Sequence, residues 1–214
     1  MKQRTLGRTG LQISELVFGG GFVGGILLHA SDQIRRDVIK LAIQSGINWI
    51  DTAASYGNGQ SEEVIGWLLS ELPHQSRPQV STKFNVDPKE GDYTGQIRRS
   101  LEQSLRRLKM TSVPLAQLHN KLGSGHGQLP LEEVTKSDGV LDALDKIRAE
   151  GLTDFIGFTA LGDASACRAV VESDRVDTAQ VYYNLINPSA GFDIEGHWHS
   201  DDYTGLLAAC QQFN

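Results

Sequence analysis

Gly46-Ile47-Asn48-Trp49-Ile50-Asp51-Thr52-Ala53-Ala54-Ser55-Tyr56-Gly57 is the stretch on which the reading of this chain turns. Asn48 to Thr52 reads as a short apolar strand, with Gly46 ending whatever helix precedes it. The strand carries a carboxylate, Asp51, at its C-terminal end. A buried carboxylate is costly unless a cation pairs with it. Small residues follow, and then a phenol, Tyr56, in the loop.

Outward from this stretch the chain has a rhythm. Before it, Ile34, Val38, Leu41 and Ala42 fall at helical spacing, with Ser31 as a candidate N-cap. Leu16 to Gly19 reads as a short buried strand, and Thr5 to Glu15, around Thr9-Gly10, as a β-hairpin. After it, Val64, Trp67 and Leu68 mark a helix, and Gln79 to Phe84 a strand ending near Lys83. Ile97, Leu101, Leu105 and Leu108 form an apolar stripe, with Arg98, Arg99, Arg106 and Arg107 expected on its wet side. A strand over Val113 to His119 follows. Next come a helix through Val140, Leu144 and Ile147 closed by Gly151, and a strand over Asp154 to Thr159. The remaining elements are a helix over Ala164 to Glu172, a strand over Thr178 to Asn184, and a helix over Tyr203 to Gln212.

Strand alternating with helix implies parallel βα units, and two architectures fit: a doubly wound open sheet or a (β/α)8 barrel. Spacing alone leaves both open. Asp51, Lys83 and His119, however, sit at the C-terminal ends of three successive strands, and in a barrel those ends converge on one mouth. Brought together there, Asp51 and Lys83 pair. The lysine cation then favours the phenolate of Tyr56, whose unperturbed pKa is about 10. Such a phenol can pass a proton to a carbonyl oxygen or take one from an alcohol, and His119 can hydrogen-bond the same oxygen. The set suits reversible carbonyl reduction, with hydride from a nicotinamide cofactor. Any one of these residues alone reads as an ordinary cap or turn residue; their combination carries the argument.

The quoted stretch, with Ser61-Glu62-Glu63-Val64-Ile65-Gly66 after it, resembles the signature of the aldo-keto reductase family. Leu6-Gly7-Arg8-Thr9-Gly10-Leu11, Ser81-Thr82-Lys83-Phe84 and Gln117-Leu118-His119 match it too, in the same order, so the resemblance runs over almost the whole chain. It implies a (β/α)8 barrel plugged at the bottom by the N-terminal hairpin. It also implies Tyr56 as general acid/base, Lys83 as its partner, Asp51 holding Lys83, and His119 binding the substrate carbonyl. Thr159 and Gln180 would hold the nicotinamide amide, Gly20 and Gly21 would lie near the cofactor ribose and the substrate, and Asp51 would contact the cofactor as well. The cofactor would be NADP(H), with NAD(H) as the alternative. The substrate would be a small aldehyde, ketone or aldose. The Gly-Arg-Thr-Gly hairpin is similar to the microbial sugar-dehydrogenase and general-reductase branches.

The sequence departs from the family in places. Thr159-Ala160 stands where a Ser-Asn pair is common, and Gly123-Ser124-Gly125-His126-Gly127 reads as a variable substrate loop. Only about six βα units are present, so residues 1–214 are expected to be a single barrel domain that is incomplete. The alternative function is then a non-catalytic fragment or a redox-sensing or regulatory subunit without a whole cofactor site.

Composition narrows the classes. A net charge of -6 argues against a nucleic-acid partner. There is no long apolar run to span a membrane and no secretory leader pattern. Cys167 and Cys210 form no metal or redox motif, so a reduced cytoplasmic setting is expected. Cys167 reads as a buried small hydrophobe, and Tyr182 and Tyr183 as one core and one pocket-rim residue. His126, His197 and His199 read as surface histidines without the carboxylate pattern of a metal site. The oligomeric state stays open.

Overall fold

The computed structural model describes residues 1–21, 23, 25–192 and 201–213. A hairpin comes first: β1 (Gln3–Thr5) pairs antiparallel with β2 (Gln12–Ser14), joined through a 3-10 turn at Gly7–Thr9 and Gly10 at φ 70°. Six parallel strands follow in sequential order: β3 (Phe18–Gly19), β4 (Trp49–Asp51), β5 (Gln79–Phe84), β6 (Val113–Leu118), β7 (Thr153–Ala160) and β8 (Thr178–Val181). The helices between them are α1 (Ile26–His29), α2 (Asp32–Gln44), α3 (Gln60–Ser70), α4 (Tyr93–Leu108), α5 (Leu131–Thr135), α6 (Val140–Ala149) and α7 (Ala164–Glu172). The last helix, α8 (Leu206–Gln212), follows β8.

The sheet curls as a barrel wall does. Four strand steps separate β4 from β8, about 19 Å if the sheet were flat. Yet the Gln180 amide on β8 reaches the Asp51 carboxylate on β4 at 3.4 Å. Only a sheet bent back toward itself permits that. The hairpin straps the underside. The Asn48 side chain accepts from Ser14 N and donates to Gln12 O, while Arg8 donates to Val176 O at 2.6 Å and pairs with Asp174 just ahead of β8. The run Gly19 to Gly24 has G-x-G-x-x-G spacing. Its first glycine ends β3, which spans two residues, and the helix that follows, α1, has four.

Outward-facing strand residues build the core. Ile50, Val80, Phe84, Ala116, Leu118, Ile156 and Phe158 are buried against Ile65, Leu69, Ile97, Leu101, Leu144 and Ile147 of the helices. Ser31 caps α2 by accepting from Ile34 N. Gly46 and Gly151 turn the chain after α2 and α6 at positive φ.

Several expectations need correction. Leu16 and Val17 are exposed, and the strand there shrinks to Phe18–Gly19. On α2 the buried residues are Ile39 and Ala42, whereas Ile34 and Leu41 are exposed. β3 is an edge of the described sheet, and α2 packs against α1 and α3 through the face that carries Ile39 and Ala42. At the other edge β8 stops at Val181, which leaves both Tyr182 and Tyr183 about half exposed and neither in the core. α8 starts three residues later than expected, and α5 had no clear periodic signal. Arg107 is not on the wet face. It pairs at 2.6 Å with Glu62, which is fully buried and also accepts from Thr82 Oγ1 at 2.5 Å. Arg107 thereby ties α4 to α3 and β5. Cys167 is fully buried, as expected, and burial pushes its thiol up to about 12. His197 and His199 lie outside the described residues.

Candidate active site

Strand alternation decides which side chains point into the barrel. Asp51 and Lys83 end the inward rows of β4 and β5, and His119 lies one residue past β6. His119 N donates to Phe84 O at 2.8 Å, which extends the ladder beyond the strand. Next to it the Asn120 side chain clamps Val86 by two bonds of 2.9 Å, which ties the exits of β5 and β6 together. Tyr56 opens a loop in which Gly57, Asn58 and Gly59 all have left-handed φ, at 60°, 52° and 94°. Two glycines relieve that strain. The loop is moored by Ala54 N donating to Lys83 O at 3.0 Å.

The structure brings four of the expected residues together. Lys83 is buried, and its ammonium donates to Asp51 Oδ2 at 2.5 Å, to Thr52 O at 2.8 Å and to the Tyr56 hydroxyl at 3.4 Å. Three protons meet three acceptors, the full capacity of an ammonium. His119 lies edge-on to the Tyr56 ring, with centroids 5.8 Å apart and planes at 80°. Burial, and then the positive charge of Lys83, hold the His119 imidazole below its ordinary 6.5, although Asp51 pulls the other way. A neutral imidazole keeps one N–H to donate.

The residues expected at the cofactor flank the same mouth from two sides. Thr159 and Gln180 are register partners on β7 and β8. Thr159 Oγ1 is buried without a hydrogen-bond partner, and the Gln180 side chain is exposed apart from its long bond to Asp51. An orphaned hydroxyl beside an available amide fits a ligand's amide group, because a buried hydroxyl without a partner is unfavourable. A Cβ on Gly21 would lie 3.3 Å from the Tyr56 ring, so glycine there leaves that ring face clear. Gly20 is bonded through both of its backbone polar groups. Its N–H donates to Asp51 O at 2.8 Å, its carbonyl accepts from Ser61 at 2.8 Å, and a Cβ would meet Ser61 Oγ at 2.7 Å. These contacts anchor the start of the loop beside Asp51.

Sequence reasoning passed over a second row of residues. Trp49, Ser81 and Gln117 each stand two positions before a candidate site residue, and so on the same inward face one step deeper. With Leu6 and Ile13 of the hairpin they line a cavity of about 190 Å³ under Asp51. Ser81 donates to Asp51 Oδ1 at 2.9 Å and Gln117 Nε2 reaches the same oxygen at 3.4 Å. The period of two, counted back from Asp51, Lys83 and His119, is the signal that could have found them.

Among the described residues no cluster of His, Cys, Asp and Glu is arranged to hold a metal, and no helix is long and apolar enough to cross a membrane. Residues 15–214 match the model of the aldo/keto reductase family. L-galactose dehydrogenase of Arabidopsis thaliana is 31% identical over 74% of this chain and 48% of its own length. D-threo-aldose 1-dehydrogenase of a Pseudomonas species is 30% identical over 94% of this chain and 66% of its own. An aldo-keto reductase of Klebsiella pneumoniae, solved with NADPH, has the same fold: TM-score 0.73 at 23% identity, over all of this chain and 65% of that one. The chain thus spans about half to two thirds of the length of these relatives.

Proposed function

This chain belongs to the aldo/keto reductase family, and from that premise we propose that it forms the catalytic part of an NAD(P)(H)-dependent oxidoreductase interconverting a carbonyl and an alcohol. One observation carries the reading: a single buried ammonium, Lys83, touches both the Asp51 carboxylate and the Tyr56 hydroxyl. Residues 1–214 act as one barrel unit in this reading.

Tyr56 is the proton donor to the carbonyl oxygen in reduction and the acceptor from the alcohol in oxidation. As its proton leaves, negative charge develops on the phenol oxygen, where the Lys83 N–H already points. Asp51 keeps Lys83 in place, and Thr52 O accepts the hydrogen bond of its remaining N–H. His119, neutral because of its burial and the Lys83 charge, donates its N–H to the substrate oxygen and sets the angle at which that oxygen meets Tyr56. A bound nicotinamide cofactor supplies the hydride, which no side chain can. Thr159 Oγ1 and the Gln180 amide would hold its amide end, and the space beside Gly21 keeps its approach to Tyr56 open. NADP(H) is the first choice and NAD(H) the second. This follows the family resemblance and the NADPH bound by the Klebsiella relative.

The substrate is a small aldehyde, ketone or aldose. The two sugar dehydrogenases among the relatives support the aldose end of that range. The chain's acidity, net -6, sets nucleic acid aside as a partner. Two free thiols agree with a reduced, cytoplasmic setting.

Tyr56→Phe tests the assignment. Reduction of an aldehyde panel with NADPH should fall by at least about 100-fold, while melting temperature and the fluorescence change on NADPH binding stay as in the parent. Turnover within a few-fold of the parent would remove Tyr56 from the role.

A further inference from the structure

The Asp51 carboxylate has two oxygens with separate duties. Oδ2 faces Lys83 at 2.5 Å. Oδ1 faces downward and accepts from Ser81 Oγ at 2.9 Å. Ser81 is 1 % exposed and directly opposite Asp51 in the β4–β5 register. Its hydroxyl has a second contact, from the indole N–H of Trp49 at 3.0 Å. An indole N–H only donates. It therefore occupies a lone pair of the hydroxyl and leaves the hydroxyl proton a single direction, toward Asp51. Trp49 is itself 3 % exposed and two residues before Asp51 on the same face. The chain of donation runs Trp49 to Ser81 to Asp51.

A carboxylate at a strand end rotates about its terminal torsion, which is broad. Ser81 at 2.9 Å is the nearer of the two donors on Oδ1, Gln117 standing at 3.4 Å, and with that oxygen pinned from below the other is fixed on Lys83. The ammonium of Lys83 then has one proton on Asp51, one on Thr52 O and the last on Tyr56. Loosening Oδ1 lets the carboxylate turn, and the direction of that last proton is lost with it.

We propose that Ser81, oriented by Trp49, is a positioning residue that sets the rotation of the Asp51 carboxylate and through it the aim of the Lys83 ammonium at Tyr56. The catalytic consequence rests on the reading of Tyr56 as proton donor; the positioning does not.

The test reads the Lys83 ammonium itself. Its side chain is wholly buried, so its N–H protons exchange slowly and are visible by proton–nitrogen NMR of the 15N-labelled chain. Lys83→Arg identifies the resonance. In Ser81→Ala and in Trp49→Phe, which keeps the aromatic packing but lacks the N–H, the resonance should shift and exchange at least about tenfold faster, the scale of one lost bond to a charged group. Ser81→Thr keeps the hydroxyl and should restore the parent signal. A purely structural role for Ser81 would lower the melting temperature and leave the ammonium resonance in place. An unchanged resonance in both Ser81→Ala and Trp49→Phe overturns the proposal. A moved resonance together with undiminished turnover in Tyr56→Phe supports the positioning and removes the acid/base reading instead.

Discussion

Replacing Lys83 by Met tests whether the ion pair is as buried and as necessary as its geometry implies. Methionine keeps the length and apolar stem of lysine, so packing changes little. At 2.5 Å and an effective dielectric of about 20, the attraction between the two charges is about 7 kcal/mol before desolvation. Desolvation of the two ions takes back several kcal/mol. What remains after mutation is decisive: Asp51, whose side chain is 15% exposed, keeps only the neutral donors Ser81, Gln117 and Gln180. Removing one partner of a buried pair costs about 3–5 kcal/mol, and the orphaned Thr52 carbonyl adds to that. Asp51→Asn placed on top removes the uncompensated charge, so the double variant should regain about half of the loss. Urea denaturation at pH 7, followed by circular dichroism with matched slopes, gives all four corners of the cycle. A Lys83→Met variant within about 0.5 kcal/mol of the parent, or strictly additive losses in the double variant, would refute the picture of a buried and coupled pair.

Two other outcomes follow from the geometry. His119 has a folded-state pKa below its ordinary 6.5, so the folded chain binds its proton less readily than the unfolded one. The resulting loss of stability is absent above 6.5 and grows as pH falls through that value toward the folded one. Urea midpoints at pH 7.5 and 5.5 should therefore draw closer together in His119→Gln than in the parent, and an unchanged gap would exclude His119 as a source. Gly66 on α3 packs on the backbone of α4, where a Cβ would stand 2.2 Å from Arg107 O. Gly66→Ala should therefore cost about 2–3 kcal/mol through overpacking, or about 5–10 °C in melting temperature for a chain of this size; a raised melting point would mean the two helices part freely.

The amino-acid sequence by itself determined the order and type of nearly every element, because helical and strand periods are local. α7 begins and ends at Ala164 and Glu172, where the sequence places it. The sequence also determined which side chains could meet at the strand ends, since parallel βα units deliver every C-terminal end to one side. Tertiary structure decided the rest. Whether Ile34 and Leu41 would be covered depended on which face of α2 packs against α1 and α3, and helix period carries no information about neighbours. Arg107 looks like any solvated arginine in its stripe until α3 sets Glu62 against it. Gln180 reaches Asp51 across 129 residues only because the sheet curls. The row of Trp49, Ser81 and Gln117 was present in the spacing, but its direction of donation was not. That direction is set by the β4–β5 register, which puts Ser81 opposite Asp51 with the Trp49 indole beside it. Pairing between strands is a property of the assembled sheet, and no local pattern can specify it.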